Sequence, residues 1–295
     1  MGVEAIVGGL LAAGAGIFAY SSLIERNAFA VREESIDVLP DGAAPIRILH
    51  LSDLHLAPWQ KRKVHWLQSL AALKPDLIIA TGDFLGHEDA VPTVREAMSA
   101  LAGTPGVYVH GSNDYFGPHL PNPLRYLWRP STVDISREQL DTASLEGVYA
   151  ALGWQNLNNA ACELTVNGSQ LVFAGTDDPH LDRDSLDSVT RAAASIVASR
   201  ADAPSAVLGV THAPYRRVLD GLTALGAGAL FAGHTHGGQV CPPFVGALTT
   251  NSDLPVAFAR GLSTWKHDSR EAHLNVSAGI GNTVTAPCGV IRPMP

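Results

Sequence analysis

The residue types that can do chemistry in this 295-residue chain are grouped in short polar clusters. Five clusters each follow an apolar run, and they are Asp53–Leu54–His55, Gly82–Asp83, Gly111–Ser112–Asn113–Asp114, Thr211–His212 and Gly233–His234–Thr235–His236. Side chains at i and i+2 of an extended segment point to the same side, so Asp53 and His55 can share one metal ion. The same holds for His234 and His236. Aspartate, histidine and asparagine together form a mixed oxygen and nitrogen ligand set that suits Mn, Fe, Zn or Mg.

The apolar runs before these clusters predict the strands of an α/β fold. Near-continuous runs, as expected for buried strands, lie at 46–52, 76–82, 106–111, 205–211, 229–233 and 274–279. Helical spacing occurs between them, at 61–73, 91–102, 186–200 and 215–225. Residues 162–175 predict a hairpin with a type I′ turn at Asn167–Gly168. Because α/β sheets build their sites at strand ends, we expect the five clusters to meet there.

Composition and charge exclude several classes of protein. Hydrophobic residues make up 46% of the chain, which excludes a disordered protein. The net charge is −8 and no basic run is present, so the sequence predicts no nucleic-acid partner. The three cysteines lie far apart, which fits neither a disulfide framework nor a zinc knuckle and favours a reducing compartment.

The N-terminal segment predicts a single membrane helix. Residues 5–24 carry no charge, and a helix of that length spans a bilayer core of about 30 Å. A cleaved signal peptide and a buried core helix are the alternatives, although residues 1–4 lack the basic residues of a signal peptide. The sequence thus divides into an anchor at 1–24, a polar linker at 25–45 and a catalytic domain at 46–295. Arg26 and Arg32 follow the apolar stretch, so the positive-inside tendency places the catalytic domain in the cytoplasm.

Residues 115–140 interrupt the alternation of strands and helices. The segment holds four prolines among aromatic residues and arginines, without a clear period. A loop this long inside a compact domain is usually a functional lid or an ordered surface excursion. Arg125 and Arg129 can bind phosphate oxygens, so the lid interpretation predicts substrate contacts there. The alternative is a segment that only packs over the helices.

Taken in order and spacing, the clusters resemble the calcineurin-like metallophosphoesterase superfamily. The similarity rests on Asp53-x-His55, Gly82–Asp83, His212 and the run from Gly233 to Gln239, and it covers residues 46–292. The long LSDLH and GHTHGGQ forms resemble the membrane-anchored bacterial branch of that superfamily. The resemblance implies a four-layer α/β/β/α sandwich of two mixed sheets, preceded here by the N-terminal transmembrane helix.

The resemblance also implies a dinuclear metal centre that hydrolyses a phosphoester through a metal-bridging hydroxide. In that scheme Asp53, His55 and His236 hold the first metal. Asp83 bridges the two ions. His212, His234 and an asparagine hold the second. Two cations about 3.5–4 Å apart can clamp a phosphate and stabilise its developing charge.

The cluster at 111–114 departs from the superfamily's usual Gly-Asn-His-Asp or -Glu. In strict register Ser112 takes the place of the ligand asparagine, and Asn113 that of the histidine. With a slip of one residue Asn113 keeps the ligand role and Asp114 replaces the histidine, and we favour this reading because an amide oxygen suits a metal better than a neutral hydroxyl. Proton donation to the leaving group must then come from Asp114 or from elsewhere. That favours diesters, pyrophosphates and activated or aryl esters over simple alkyl monoesters.

Other polar residues allow two interpretations. Asp177, Asp178 and His180 follow a strand and could approach the site, yet an Asx-turn before Pro179 explains them equally well. His87 follows the Asp83 loop and is predicted to contact substrate. The substrate is predicted to be a phosphoester, amphipathic or lipid-linked if the anchor and the lid act together. A cyclic-nucleotide or nucleotide phosphodiesterase and a non-catalytic metal-binding scaffold are the alternative functions.

Overall fold

The predicted apolar strands form two β-sheets in the computed structural model, which describes residues 27–117, 136–199, 205–238, 241 and 246–281 and five isolated positions before residue 27. The first sheet has the order β1-β2-β3-β4 and the second the order β5-β6-β7-β8-β10-β9. The strands are β1 (Ile48–Leu51), β2 (Leu77–Ala80), β3 (Gly106–Tyr108), β4 (Trp154–Asn156), β5 (Ala160–Val166), β6 (Ser169–Gly175), β7 (Ala206–Val210), β8 (Ala229–Ala232), β9 (Gly261–His267) and β10 (Arg270–Val276).

Six α-helices connect or cover these strands within the described residues. They are α1 (Lys61–Ser69), α2 (Val91–Met98), the one-turn α3 (Ser112–Tyr115), α4 (Thr142–Leu152), α5 (Leu186–Ala198) and α6 (Arg216–Ala224). Local signals fix their ends: Asp141 caps α4 by accepting a 2.9 Å hydrogen bond from the Ser144 N–H, and Gly153 ends it at φ +79°. The sequence pattern predicted α1, α2, α5 and α6 but neither α4 nor α3.

The first sheet corrects the prediction of two mixed sheets. Every neighbouring pair among β1, β2, β3 and β4 is parallel, because helical segments return the chain to the same edge between successive strands. The second sheet is mixed as predicted: β6, β7, β8 and β10 run parallel, while β5 and β9 pair antiparallel at its two edges.

Three apolar cores separate four layers. Along β2 the side chains alternate: Leu77 and Ile79 pack between the two sheets, whereas Ile78 packs toward α1, α2 and α4. Phe173 and Phe231 of the second sheet complete the central core. The third core lies between the second sheet and the helices α5 and α6. The α/β fold with two sheets is therefore confirmed, and its layers follow the order α/β/β/α.

Two strand-level predictions have different outcomes. The hairpin of β5 and β6 is confirmed, and Asn167 and Gly168 have the positive φ values, +48° and +81°, that a type I′ turn requires. The strand predicted at 274–279 instead spans Arg270–Val276, because it pairs along its full length with β9. The first half of this strand is polar, so a search for apolar runs does not detect it.

The predicted linker packs against the domain. Ile36, Val38 and Leu39 lie against the central core, and the turn at residues 40–43 is closed by a 3.1 Å hydrogen bond from the Ala43 N–H to the Pro40 carbonyl. Among the described residues no helix is both long and apolar enough to cross a membrane. The predicted anchor at 5–24 lies outside the described residues except at isolated positions.

Candidate metal centre

The predicted ligands lie at the carboxyl ends of four parallel strands. Asp53 and His55 follow β1, Asp83 follows β2, His212 follows β7, and His234 and His236 follow β8. The loops stay paired beyond the strands: the Asp53 N–H donates to the Gly82 carbonyl at 2.9 Å, and the His55 N–H to the Asp83 carbonyl at 3.0 Å. Neighbouring strands therefore deliver their polar side chains to one place, as the strand-end argument predicts.

Five of the six aspartates and histidines of the predicted ligand set have left-handed backbone conformations. Non-glycine residues rarely adopt positive φ, and such strain collects at functional sites because the surrounding structure must enforce it. The φ values are +52° for Asp53, +41° for His55, +57° for Asp83, +69° for His234 and +48° for His236. The surrounding structure therefore holds five of the six candidate ligands in backbone conformations that non-glycine residues rarely adopt.

The first group of ligands converges. Ligand atoms of Asp53, His55, Asp83 and His236 all lie within 4.8 Å of one another. His55 Nε2 and His236 Nε2 are 3.2 Å apart, and Asp53 Oδ1 lies 3.5 Å from His236 Nε2. Two ring nitrogens and two carboxylates at these separations fit a divalent cation of the Mn, Fe or Zn type.

Asp83 lies between this group and the next histidine. Its Oδ2 atom is 3.6 Å from His55 Nε2 and 3.5 Å from His212 Nε2. The carboxylate is nearly inaccessible to solvent, so its charge is weakly screened and acts on both sides. One carboxylate thus faces a ring nitrogen on each side, which is the position that a bridging ligand requires.

Main-chain carbonyls orient three of the histidines. His212 Nδ1 lies 2.6 Å from the Thr81 carbonyl, His236 Nδ1 lies 3.1 Å from the Gly281 carbonyl, and His234 Nε2 lies 3.1 Å from the Asn251 carbonyl. A carbonyl only accepts, so the Nδ1 atoms of His212 and His236 carry the protons of their rings. When such a ring is neutral, its opposite nitrogen has the lone pair that a metal needs, and such supporting bonds are typical of metal-ligating histidines.

The surroundings of His212 Nε2 test whether this site suits a metal ion. The atom is fully buried and has no hydrogen-bond partner in the described part of the chain. A Cβ on Gly111 would lie 2.7 Å from it and would collide with Asp83 Oδ1, so glycine is required at this wall of the site. A buried nitrogen without a partner, beside a carboxylate, fits a metal ligand.

Burial and neighbouring charges shift the pKa values of the candidate ligands. Burial lowers the pKa of His55 to about 4, so its ring is neutral and able to ligate at neutral pH. Burial also disfavours charge on His212, but the nearby carboxylates of Asp83, Asp178 and Asp53 outweigh it and hold its pKa well above the ordinary value. Burial likewise opposes ionisation of Asp83, yet His212 and His55 keep the pKa of this carboxyl well below its usual range.

The second group of predicted ligands consists of His212, His234 and Asn113. His234 and His212 face each other edge to face with ring centroids 5.2 Å apart, and the main-chain N–H of His234 donates to both Asp53 carboxylate oxygens. Asn113 reaches the group through Asp83: its main-chain N–H donates to Oδ1 at 2.8 Å and its Nδ2 to Oδ2 at 2.7 Å. Rotation about χ2 would exchange that nitrogen for the amide oxygen, so Asn113 is placed to present a ligand beside Asp83.

Asp114, one of the predicted proton donors, lies against the main chain of the Asp83 loop. Its side chain is fully buried and accepts hydrogen bonds of 2.8–3.1 Å from the main-chain N–H groups of Asp83, Phe84, Leu85 and Gly111. Both carboxylate oxygens are thus occupied by main-chain donors of the loops that begin at Asp83 and Gly111. Asp114 therefore holds the loop that carries Asp83.

The predicted substrate contacts have separate outcomes. His87 does not join the ligand cluster. It caps a short 3₁₀ turn and lines, with Glu88, Gly117 and Glu138, a cavity of about 180 Å³. Arg125 and Arg129 lie outside the described residues.

The loop after β6 does approach the site. The ring of His180 lies 4.5 Å from that of His234, and the Tyr115 hydroxyl donates to Asp177 at 2.7 Å. Asp178 accepts from the His180 N–H at 2.9 Å, so the Asx-turn interpretation is also correct. Burial raises the pKa of Asp178 to about 7.

The sequence offers little signal for the groups that orient the histidines. The carbonyls of Thr81, Asn251 and Gly281 act through main-chain atoms, which every residue has. The positive φ of Asn251, +55°, depends on the fold and is not written in any local motif.

Comparison with known proteins agrees with this geometry. The family model described as calcineurin-like phosphoesterase matches residues 46–238. The chain belongs to this family. The region matched contains every predicted ligand, from Asp53 to His236. Family membership makes the protein a phosphoester hydrolase with a candidate metal site at Asp53, His55, Asp83 and His236.

Similar proteins span distant organisms. The chain is 24% identical over 294 residues to the uncharacterized metallophosphoesterase YkuE of Bacillus subtilis (strain 168), covering 95% of this chain and 87% of that protein. It is 26% identical over 259 residues to F40B5.2 of Caenorhabditis elegans, named as a metallophosphoesterase, covering 85% of this chain and 48% of that protein. Among solved structures, TT1561 of Thermus thermophilus has a TM-score of 0.43 and 12% identity, covering 80% of this chain and 91% of that one.

Proposed function

We propose that the chain hydrolyses a phosphoester at a centre of two divalent cations that share Asp83. The observation that carries the proposal is the place of Asp83 Oδ2, 3.6 Å from His55 Nε2 and 3.5 Å from His212 Nε2. A carboxylate buried between two ring nitrogens is expensive unless positive charge lies on both sides of it. Two cations would supply that charge and leave both rings neutral.

The proposed ligands divide between two sites. Asp53, His55 and His236 would hold the first cation, and His212, His234 and Asn113 the second, with Asp83 common to both. When bound, such a pair of ions lowers the pKa of water to supply the attacking hydroxide and offsets the charge that develops on the phosphate. The protein's part is to hold the donor atoms in place, through left-handed loops and three carbonyl-oriented rings.

The substrate class follows from the proton donor. Where the family's histidine assists the leaving group, the 111–114 cluster offers only Asn113 and Asp114, and Asp114 is held by four main-chain N–H groups. An amide does not donate a proton at neutral pH. We therefore propose substrates whose leaving group departs without help, namely pyrophosphates, activated diesters and aryl esters.

The test combines metal reconstitution with one substitution. Metal-free wild type is assayed after addition of Mn²⁺, Fe²⁺, Zn²⁺ or Mg²⁺ against an aryl phosphodiester, a pyrophosphate and an alkyl monoester. Asp83→Asn keeps the shape of the side chain and removes its charge, so we expect turnover to fall by at least about 100-fold with weaker metal binding. Asp268→Asn, on an exposed turn, serves as the matched control. Near-wild-type turnover of metal-replete Asp83→Asn would exclude the shared-ligand centre.

The location of the enzyme is a separate proposal. The uncharged stretch at 5–24 supports a single membrane anchor, and Arg26 and Arg32 support a catalytic domain on the cytoplasmic side. Full-length protein should then remain with membranes after alkaline extraction, and a chain that starts at Arg32 should not. A reporter fused after Pro295 that is active only outside the membrane would reverse the orientation.

A further inference from the structure

The loop after β6 lies next to the second group of ligands. β6 and β7 are parallel neighbours, and their pairing continues past both strands: the Thr176 N–H donates to the Val210 carbonyl at 3.1 Å. The hydroxyls of Thr176 and Thr211 then meet at 2.8 Å. The residues that follow, Asp177 and Asp178 on one strand and His212 on the other, must therefore leave the sheet side by side.

Asp178 is a buried carboxylate that is only half satisfied. Its side chain has no accessible surface, and its Oδ1 atom accepts the His180 N–H at 2.9 Å. Its Oδ2 atom is buried and has no hydrogen-bond partner among the residues that the structure describes. Buried carboxylate oxygens are costly without a partner, so an oxygen of this kind requires an explanation.

The residues around Asp178 indicate what its Oδ2 atom binds. The pairing of β6 with β7 brings the Asp178 turn next to the loop that carries His212, since Thr176 and Thr211 meet just before the two residues. His212 Nε2 is likewise buried and without a partner in the described residues. Through His180, whose ring packs 4.5 Å from that of His234, the Asp178 turn also contacts the other histidine of the second group.

We propose that Asp178 belongs to the second cation site, where its Oδ2 atom faces the same ion as His212 Nε2, either directly or through one water. The inference rests on the proposed two-cation centre and adds to it a residue outside the superfamily's motifs. Without Asp178 the second cation has only the shared carboxylate of Asp83 beside neutral ligands, whereas Asp178 adds a negative charge of its own.

Calorimetric titration of the metal-free full chain with Mn²⁺ tests this inference. Asp178→Asn retains an Oδ1 acceptor for the His180 N–H, so the turn is preserved while the charge is lost. We expect wild type to bind two ions and Asp178→Asn to bind the second ion at least about tenfold more weakly, with the first unchanged. Asp182→Asn, four residues along the same loop and almost fully exposed, is the matched control and should bind both ions as wild type does.

The possible outcomes separate the inference from the proposed function. If wild type binds two ions and Asp178→Asn binds both as tightly, the inference is wrong and the two-cation centre stands. If wild type binds a single ion, both are wrong. Should Asp178→Asn fail to fold, a crystal structure of Mn²⁺-loaded wild type decides. Asp178 Oδ2 bound to the second ion or to a water on it supports the inference, and Oδ2 paired only with protein atoms overturns it.

Discussion

Asp114 Oδ2 accepts a 2.8 Å hydrogen bond from the main-chain N–H of Asp83. The same side chain accepts from the next two N–H groups along the loop and from Gly111. A fully buried carboxylate thus holds the left-handed turn that presents Asp83 to the ligands. This buried carboxylate therefore acts on the position of a candidate ligand.

Asp114→Asn tests this positioning role. Replacing one oxygen by an amide nitrogen removes the charge and turns a donor toward N–H donors, so we expect a loss of about 3 kcal/mol or more in the free energy of unfolding. Turnover should fall by the same factor on aryl and alkyl esters, since a misplaced Asp83 affects all substrates. Urea denaturation and paired assays measure both effects. A loss confined to alkyl esters, with unchanged stability, would show that Asp114 is the acid after all.

The strand ends and their polar residues could be predicted because their signals are local. Asp53, His55, Asp83 and His212 each follow a short apolar run, and parallel sheets bring such ends together. The role of Asp114 could not be read in the same way. Its partners include main-chain N–H groups about thirty residues away, and no side-chain pattern records them.

The elements that were missed had weak or misleading periodicity. The first half of β10 is polar, and its pairing with β9 depends on the tertiary structure and not on a local pattern. The apolar positions of α4 pack on a core that is assembled from several other elements. The parallel direction of every strand in the first sheet likewise depends on how the helices return the chain, which the strand sequences do not record.

Ser112→Ala and Asn113→Ala distinguish the two registers of the 111–114 block. Asn113 contacts Asp83 through its main chain and its amide, so removing the amide should weaken binding of the second cation more than removing the Ser112 hydroxyl does. Metal content of the two purified variants, measured after dialysis against a limiting concentration of Mn²⁺, checks this. Greater metal loss in Ser112→Ala would restore the strict register, in which Asn113 occupies the histidine place.

His110 predicts a pH dependence of stability. The ring is fully buried between Glu146 Oε1, 3.2 Å from Nε2, and Asp114 Oδ2, 3.8 Å from Nδ1, with Tyr108 and Tyr149 packed nearby. Burial lowers the pKa of His110, but Asp114 and Glu146 outweigh it and raise the pKa above 6.5. Protonated His110 therefore stabilises the fold. That stability is complete below the unfolded-state pKa and is lost as the pH rises through the folded-state pKa.

His110→Gln removes the titration while keeping a polar side chain of similar length. The difference in the free energy of unfolding between wild type and His110→Gln should be largest at about pH 6 and should shrink toward about pH 9. Urea denaturation of both metal-free proteins across this range measures it. A difference that stays constant with pH would mean that His110 is neutral in the folded protein.

The segment 115–140 leads to the last prediction. Its two stems are paired: the Gly117 N–H donates to the Glu138 carbonyl at 2.8 Å, and the Leu140 N–H to the Tyr115 carbonyl at 2.9 Å. The Tyr115 hydroxyl of the first stem donates a hydrogen bond to Asp177, which precedes Asp178 of the proposed second cation site. The stems therefore start near the candidate metal centre, and on this basis we keep the prediction that the intervening residues, outside the described part of the chain, contact substrate.

Replacing Tyr126–Arg129 by a short Gly/Ser linker should spare the paired stems and remove the proposed phosphate and lipid contacts. We expect turnover of a small aryl phosphodiester to stay near the wild-type level, because the ligand residues are untouched. Turnover of a lipid-linked pyrophosphate should fall by about tenfold or more, the scale of one or two lost arginine–phosphate contacts. Arg125→Ala/Arg129→Ala should lower the lipid activity in the same direction, whereas Arg95→Ala/Arg191→Ala, on exposed helix faces, should not. Equal loss on both substrates, or no loss on either, would leave the segment as a surface excursion, because a recognition lid must separate the two activities.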